Sequence, residues 1–180
     1  MEGLITEAVI ITVLILLNGF FSSAEIAIIS AKRSVIEKLA KDGNLSAQYV
    51  SRMKEDPDRF LATVQVGVTV VGTLASVIGG VTAAEFLKPV FLSIPVSFIQ
   101  DSAEFFAVGA VVIVISYVTL VLGELVPKTL ALRYSERIAC FSARPVNLLS
   151  KISSSVIRIL TASTGAVVRM LGIKGAEKKV

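Results

Sequence analysis

The sequence predicts an all-α integral membrane protein: three transmembrane helices, cytoplasmic juxtamembrane helices and an amphipathic C-terminal helix. Three observations carry this. Of 180 residues, 54% are hydrophobic and 18% charged, against about 45–50% and about 25% in soluble domains. Three nearly uncharged runs have the length needed to cross a hydrocarbon core, roughly 20 apolar residues. Lys and Arg concentrate in alternate connections, as they do where cytoplasmic loops retain positive charge.

The first run, Ala8 to Ala24, is uncharged, and its apolar pattern continues past Glu25 to Ile29. No Lys or Arg occurs in residues 1–31, so the basic start of a signal peptide is missing. Segment 32–59 carries seven Lys or Arg residues and reads as a helical hairpin, Lys32–Lys41 and Ser46–Lys54, broken at Asp42-Gly43-Asn44. The second run, Phe60 to Ala84, is uncharged throughout. Segment 85–104 holds one cation, Lys88, and two prolines, Pro89 and Pro95. It reads as an external interfacial lid. The third run is Phe105 to Gly123, and ten Lys or Arg residues follow from Lys128 onward. The N-terminus is therefore expected outside and the C-terminus inside.

Beyond Arg137 the longest uncharged run is Ile159 to Val168. Lys151, Arg158 and Arg169 would each cost about 2.5–3.5 kcal/mol inside a bilayer. An amphipathic helix from about Pro145 to Leu171 is expected instead. The organisation is thus a membrane domain over 1–144 with its cytoplasmic hairpin at 31–58, an amphipathic helix over 145–173, and a linker over 174–180 leading toward cytoplasmic domains absent from this chain. The cations lie beside the membrane, which favours lipid contact over nucleic acid.

There is no His, and one Cys, Cys140. This excludes a disulfide framework, Cys/His zinc sites and His-based catalysis. No nucleophile–base pair stands out, so an enzyme is not expected.

Polar residues within spanning helices are functional candidates by default. Asn18, Ser22 and Glu25 fall on one stripe of the first helix. Gln65, Thr69, Thr73 and Ser76 form another on the second, with Gly67 and Gly72 permitting close approach. Ser116, Thr119, Gly123 and Glu124 belong to the third. Such Ser, Thr and Gly spacing is also ordinary glue between membrane helices. Asn18-Gly19 is a poor helix-interior pair, so a local break is expected there. Pro127 lacks an N–H, so the Gly123 carbonyl four residues earlier loses its helical partner. A free carbonyl beside the Glu124 carboxylate, with Ser22 facing it, makes a hard-oxygen cation site. Oxygen ligands without His or paired Cys point to Mg²⁺ or Ca²⁺, with Na⁺ at weaker charge. Glu25 is open to three roles: ligand, gate or partner of Lys128.

Leu17-Asn-Gly-Phe-Phe-Ser-Ser-Ala-Glu-Ile-Ala-Ile28, Phe60-Leu-Ala-Thr-Val-Gln-Val-Gly-Val-Thr-Val-Val-Gly-Thr73 and Gly123-Glu-Leu-Val-Pro-Lys-Thr129 resemble the membrane domain of the CorC/cyclin-M (CNNM) magnesium transporters. The resemblance covers nearly the whole chain. It implies a homodimer in the cell membrane, a Mg²⁺ site facing the cytoplasm, and Mg²⁺ export driven by Na⁺ entry. It assigns Ser22, Gly123 and Glu124 to the ion, with Ser23 adjacent. It also implies CBS-type cytoplasmic domains beyond this chain. Many relatives place Asn in the second helix where this chain has Val68 and Gly72, so Thr69, Thr73 or water would replace that ligand here. Asn18 completes the candidate set, with Glu25, Gln65, Pro127 and Lys128 as gating or supporting residues. The mechanism expected is alternating access hinged at Asn18-Gly19 and Gly123–Pro127. The alternative is a non-transporting Mg²⁺-binding scaffold or sensor.

Overall fold

The computed structural model describes residues 2–170, apart from the side chains of residues 2–4, 81–86, 97 and 169. The expected linker at 174–180 and the last residues of the 145–173 segment lie outside it. Among the described residues there is no strand. Three stretches are long and apolar enough to cross a membrane: Ile5–Ser30, Pro57–Gly80 and Ala103–Arg133.

Helix α1 (Glu2–Ser30) is continuous through Asn18-Gly19, so the break expected there does not occur. The reason is packing. The Asn18 side chain finds a partner on another helix, and Gly19 admits a ring that a Cβ would push away. Helices α2 (Arg33–Lys41) and α3 (Leu45–Glu55) form the hairpin. Gly43 takes φ +91° at the turn, where glycine has no steric penalty. Asn44 caps α3, its side chain accepting from the Ala47 N–H at 3.1 Å.

Helix α4 (Pro57–Leu92) runs through Pro89, so the predicted lid is helical for its first residues. Pro89 sits four positions from the end, where a missing N–H costs only a terminal bond. A turn leads to the short α5 (Ser97–Asp101) and then α6 (Ala103–Leu120). Phe91 stacks on Phe106 at 6.0 Å and Lys88 pairs with Glu104 at 2.7 Å, tying the ends of α4 and α6 together. The third spanning segment continues as a wide π-type turn, Val121–Leu125, and helix α7 (Val126–Arg133). The expected single helix from Pro145 is instead two: α8 (Ser135–Ile152), with Pro145 inside it, and α9 (Ser154–Met170). The Ser153 N–H still reaches the Leu149 carbonyl, and the chain bends there.

The chain forms two compact units. One comprises the residues up to Ser23 with Gly67–Arg133. The other comprises Ala24–Val66 with the residues from Tyr134 onward. In the first, small and polar residues are inside: Asn18, Ser22, Ala75, Ala103 and Ala107 are buried, while Leu16 and Ile113 are exposed. That inversion suits hydrocarbon, where apolar side chains need no shelter and small ones let helices approach. Gly67 meets the Phe21 ring, and Gly79 meets Ile115 and Ile11, so these glycines serve contacts within the chain. The second unit is packed like a soluble core, with Ile28, Ile36, Val50, Val64 and Val146 almost fully buried. Lys54 donates to the Ile29 carbonyl at 3.0 Å at the end of α1. Burial, and then the charge of Arg33, push its ammonium below the usual Lys range.

Candidate cation site

Asn18 is the centre of the polar cluster in the first unit. Its Nδ2 donates to the Gly123 carbonyl at 3.0 Å in a buried bond. This is the carbonyl that Pro127, four residues on, has no N–H to satisfy. The wide turn at Val121–Leu125 presents it toward α1. A π-turn inside a helix frees backbone groups for such use. A Cβ on Gly123 would come within 3.2 Å of Asn18 Nδ2 and 3.5 Å of both the Ile15 carbonyl and Thr119 Cγ2. Glycine is thus the residue that lets this peptide oxygen reach α1.

Two oxygens in the cluster are buried without a hydrogen-bond partner: Asn18 Oδ1 and Thr119 Oγ1. An unpaired buried polar atom costs about 1–3 kcal/mol, and a desolvated cation is one group that would relieve it. Thr119 is a residue that sequence reasoning left open between site and packing contact and did not include in the ligand set. The signal was its position four residues before Gly123 on the same helix face.

On its other side Asn18 borders an open hollow of about 480 Å³ that is also lined by Thr69, Gly72, Thr73 and Ser76 of α4. A Cβ at Gly72 would lie 3.6 Å from Asn18 Oδ1. The second-helix hydroxyls proposed as ligands therefore share one space with Asn18. Ser22 lies one turn beyond Asn18 on the same stripe and is 2% exposed. The Ser23 hydroxyl donates back to the Phe20 carbonyl at 2.8 Å, and its oxygen lone pairs remain able to accept.

Glu124 follows Gly123 in the wide turn. Its Oε1 accepts from Lys128 Nζ at 2.6 Å, with both side chains partly exposed. Lys128 is thus the partner of Glu124. Pro127 packs against α1: its Cγ is 2.9 Å from where a Gly19 Cβ would stand. Glu25 and Gln65 line a different hollow, about 770 Å³, together with Asp58, Thr161 and Thr164 in the second unit. Among the described residues no three Asp, Glu or Cys side chains converge. A cation here would have to rest on one carboxylate and several neutral oxygens, a set suited to a hard ion rather than a soft metal.

Comparison with known proteins agrees with this architecture. UPF0053 protein sll0260 of Synechocystis sp. is 39% identical over 171 residues, covering 95% of this chain and 38% of its own length. UPF0053 protein YhdT of Bacillus subtilis is 32% identical over 97% of this chain and 37% of its own length. UPF0053 inner membrane protein YfjD of Escherichia coli is 29% identical over 88% of this chain and 33% of its own length. The chain thus spans under two-fifths of these relatives. Residues 9–180 match the cyclin M transmembrane N-terminal domain. With three apolar helices of spanning length, and with this match over nearly its whole length, the chain is a membrane protein that belongs to the cyclin M transmembrane N-terminal domain family.

Proposed function

We propose that this chain is the membrane domain of a Mg²⁺ transporter of the plasma membrane, crossing it three times with its N-terminus outside. The observation that supports this most is the buried bond from Asn18 Nδ2 to the Gly123 carbonyl of the wide turn, which leaves Asn18 Oδ1 buried and unpaired next to the turn that also carries Glu124. Mg²⁺ is the cargo, and Ser22, Gly123, Glu124 and Asn18 bind it, with Thr69, Thr73 and Ser23 at the margin. Mg²⁺ demands about six oxygens in octahedral order and sheds water reluctantly. A site of one carboxylate and neutral oxygens binds it weakly enough to release it.

Without the ion, both strong acceptors are held by N–H donors of the chain: Gly123 O by the Asn18 amide, and Glu124 by the Lys128 ammonium. Loading exchanges these donors for the cation. The amide turns its Oδ1 toward the ion and Lys128 swings away. The second unit carries most of the basic connections, and the positive-inside argument supports a cytoplasmic side for it. Na⁺ entry supplies the driving energy in this reading, each inward charge contributing about 2.3 kcal/mol per 100 mV. A homodimer with CBS-type cytoplasmic domains completes it.

The test is calorimetry and liposome flux with the full-length protein, comparing wild type with Ser22→Ala and Glu124→Ala separately. Both substitutions are expected to weaken Mg²⁺ binding and to abolish Mg²⁺ flux driven by a Na⁺ gradient. Wild-type affinity in both variants overturns the site. Binding without flux in the wild type favours the scaffold or sensor reading.

A further inference from the structure

The second unit holds two adjoining hollows at the foot of α4 that the ion site does not use. One, of about 320 Å³, is lined by Arg52, Arg59 and Lys151 with Tyr49, Asn147 and Ser150. The other, of about 360 Å³, adds Arg158, Ser154 and Thr161. Asp56 and Arg59 line both, so they form one groove. Arg59 is held in place: its Nε donates to Ser150 Oγ at 3.3 Å. The rest of its guanidinium has no protein partner among the described residues.

We propose that this groove binds the phosphate of an anionic phospholipid headgroup. Four observations converge. First, four cations face the groove against two carboxylates, Asp56 and Asp58. Second, none of the four forms an ion pair among the described residues, although both acids are beside them. Third, Arg59 is the last charged residue before the 25-residue uncharged run of α4, which sets the groove at the depth where headgroups end and acyl chains begin. Fourth, the neighbours of its cations on α8 and α9, Ile152 and Ile159, are exposed at 74% and 67% and offer apolar surface to the lipid tails. Guanidinium forks and hydroxyls are the donors that phosphate oxygens take best. The proposal does not depend on the ion site, because lipid retention requires no cation transport.

The experiment uses the full-length protein in detergent with phosphatidylglycerol or phosphatidylcholine added. Native mass spectrometry counts the retained lipid. Wild type is expected to hold phosphatidylglycerol selectively. The double variant Arg52→Gln/Lys151→Gln removes two exposed, unpaired cations and leaves the fold intact. It is expected to weaken retention about twenty-five-fold, from about fivefold for each cation near an anionic surface. Arg59→Lys keeps the charge and is expected to lose less. Lys38→Gln/Lys41→Gln removes equal charge from α2 and is expected to retain wild-type binding. Equal loss in that control, or no loss in the groove variant, overturns the proposal. Inorganic phosphate added to lipid-stripped protein separates the sources: stabilisation equal to that by phosphatidylglycerol overturns a lipid ligand.

Discussion

Replacing Asn18 by Leu separates its role as a structural bond from the role proposed for it as an ion ligand, because the structural terms oppose each other. The substitution removes the 3.0 Å donor to the Gly123 carbonyl and leaves that buried oxygen unpaired, a loss of about 1–3 kcal/mol. It also removes Asn18 Oδ1, which is buried and already unpaired, a relief of about 1–3 kcal/mol. The shapes are similar, and the Gly72 backbone opposite Oδ1 carries no Cβ to clash with a Leu methyl. The net change in stability without divalent ion is therefore within about 2 kcal/mol. Ligand linkage behaves differently. A cation binding the native state stabilises wild type by about 2.7 kcal/mol at about 100 times its Kd, and the variant loses this. The assay is thermal unfolding in detergent with and without Mg²⁺. Similar midpoints without ion, and a Mg²⁺-dependent rise confined to wild type, are expected. A rise of wild-type size in Asn18→Leu refutes the reasoning. A fall of several kcal/mol without ion means that Oδ1 is satisfied in the native protein.

Lys128→Gln frees Glu124 from its internal counter-ion. Mg²⁺ affinity by calorimetry is expected to rise about fivefold, the equivalent of roughly 1 kcal/mol for a partly exposed pair. Gly19→Ala drives a Cβ to 2.9 Å from the Pro127 ring and 3.3 Å from the Leu122 carbonyl, neither of which can swing aside. A loss of about 1–3 kcal/mol is expected, whereas Gly80→Ala, with nothing within 4 Å, is neutral or better in the same unfolding assay. The Glu136 carboxyl is held below its ordinary value of 4.5 by its own backbone N–H, then by the Lys32 N–H and the Ser135 hydroxyl, with burial opposing. A lowered native value means that the unfolded state takes up protons first as the pH falls, so this contribution is present above pH 4.5 and lost below it. Glu136→Gln is therefore expected to be less stable than wild type at neutral pH, with the gap closing as unfolding is measured at lower pH.

Much of this architecture was legible because the membrane and the helix impose simple rules. Charge-free length identified α1, α4 and α6. The Asp42-Gly43-Asn44 turn bounded α2 and α3 within a residue or two, because the only positive φ among the described residues lies where glycine permits it. Pro127 announced the freed Gly123 carbonyl. What sequence could not give was the partner. Asn18-Gly19 read as a helix breaker from local propensity, yet α1 runs straight because each residue has a tertiary use: the amide meets Gly123, and the missing Cβ admits Pro127. Pro89 and Pro145 likewise sit inside helices that local rules would end. Glu25, on the same stripe as Asn18, lines another hollow, in the second unit.

The proposed site differs from ordinary packing glue in its unpaired oxygens. Packing contacts between membrane helices satisfy their polar atoms, since lipid offers no substitute. Asn18 does this by half: its N–H end caps an orphan carbonyl while its oxygen, and that of Thr119, face no donor. If helix association were the only demand on these positions, Ala or Leu at 18 and Val at 119 would remove two desolvated oxygens at little loss of packing. Retaining them has a stability cost of a few kcal/mol. An electrophile arriving at this point, with Glu124 one residue from the bonded carbonyl, recovers that cost. A proton donor held permanently there would recover it too, but Lys128, the cation that pairs with this turn among the described residues, is already spent on Glu124.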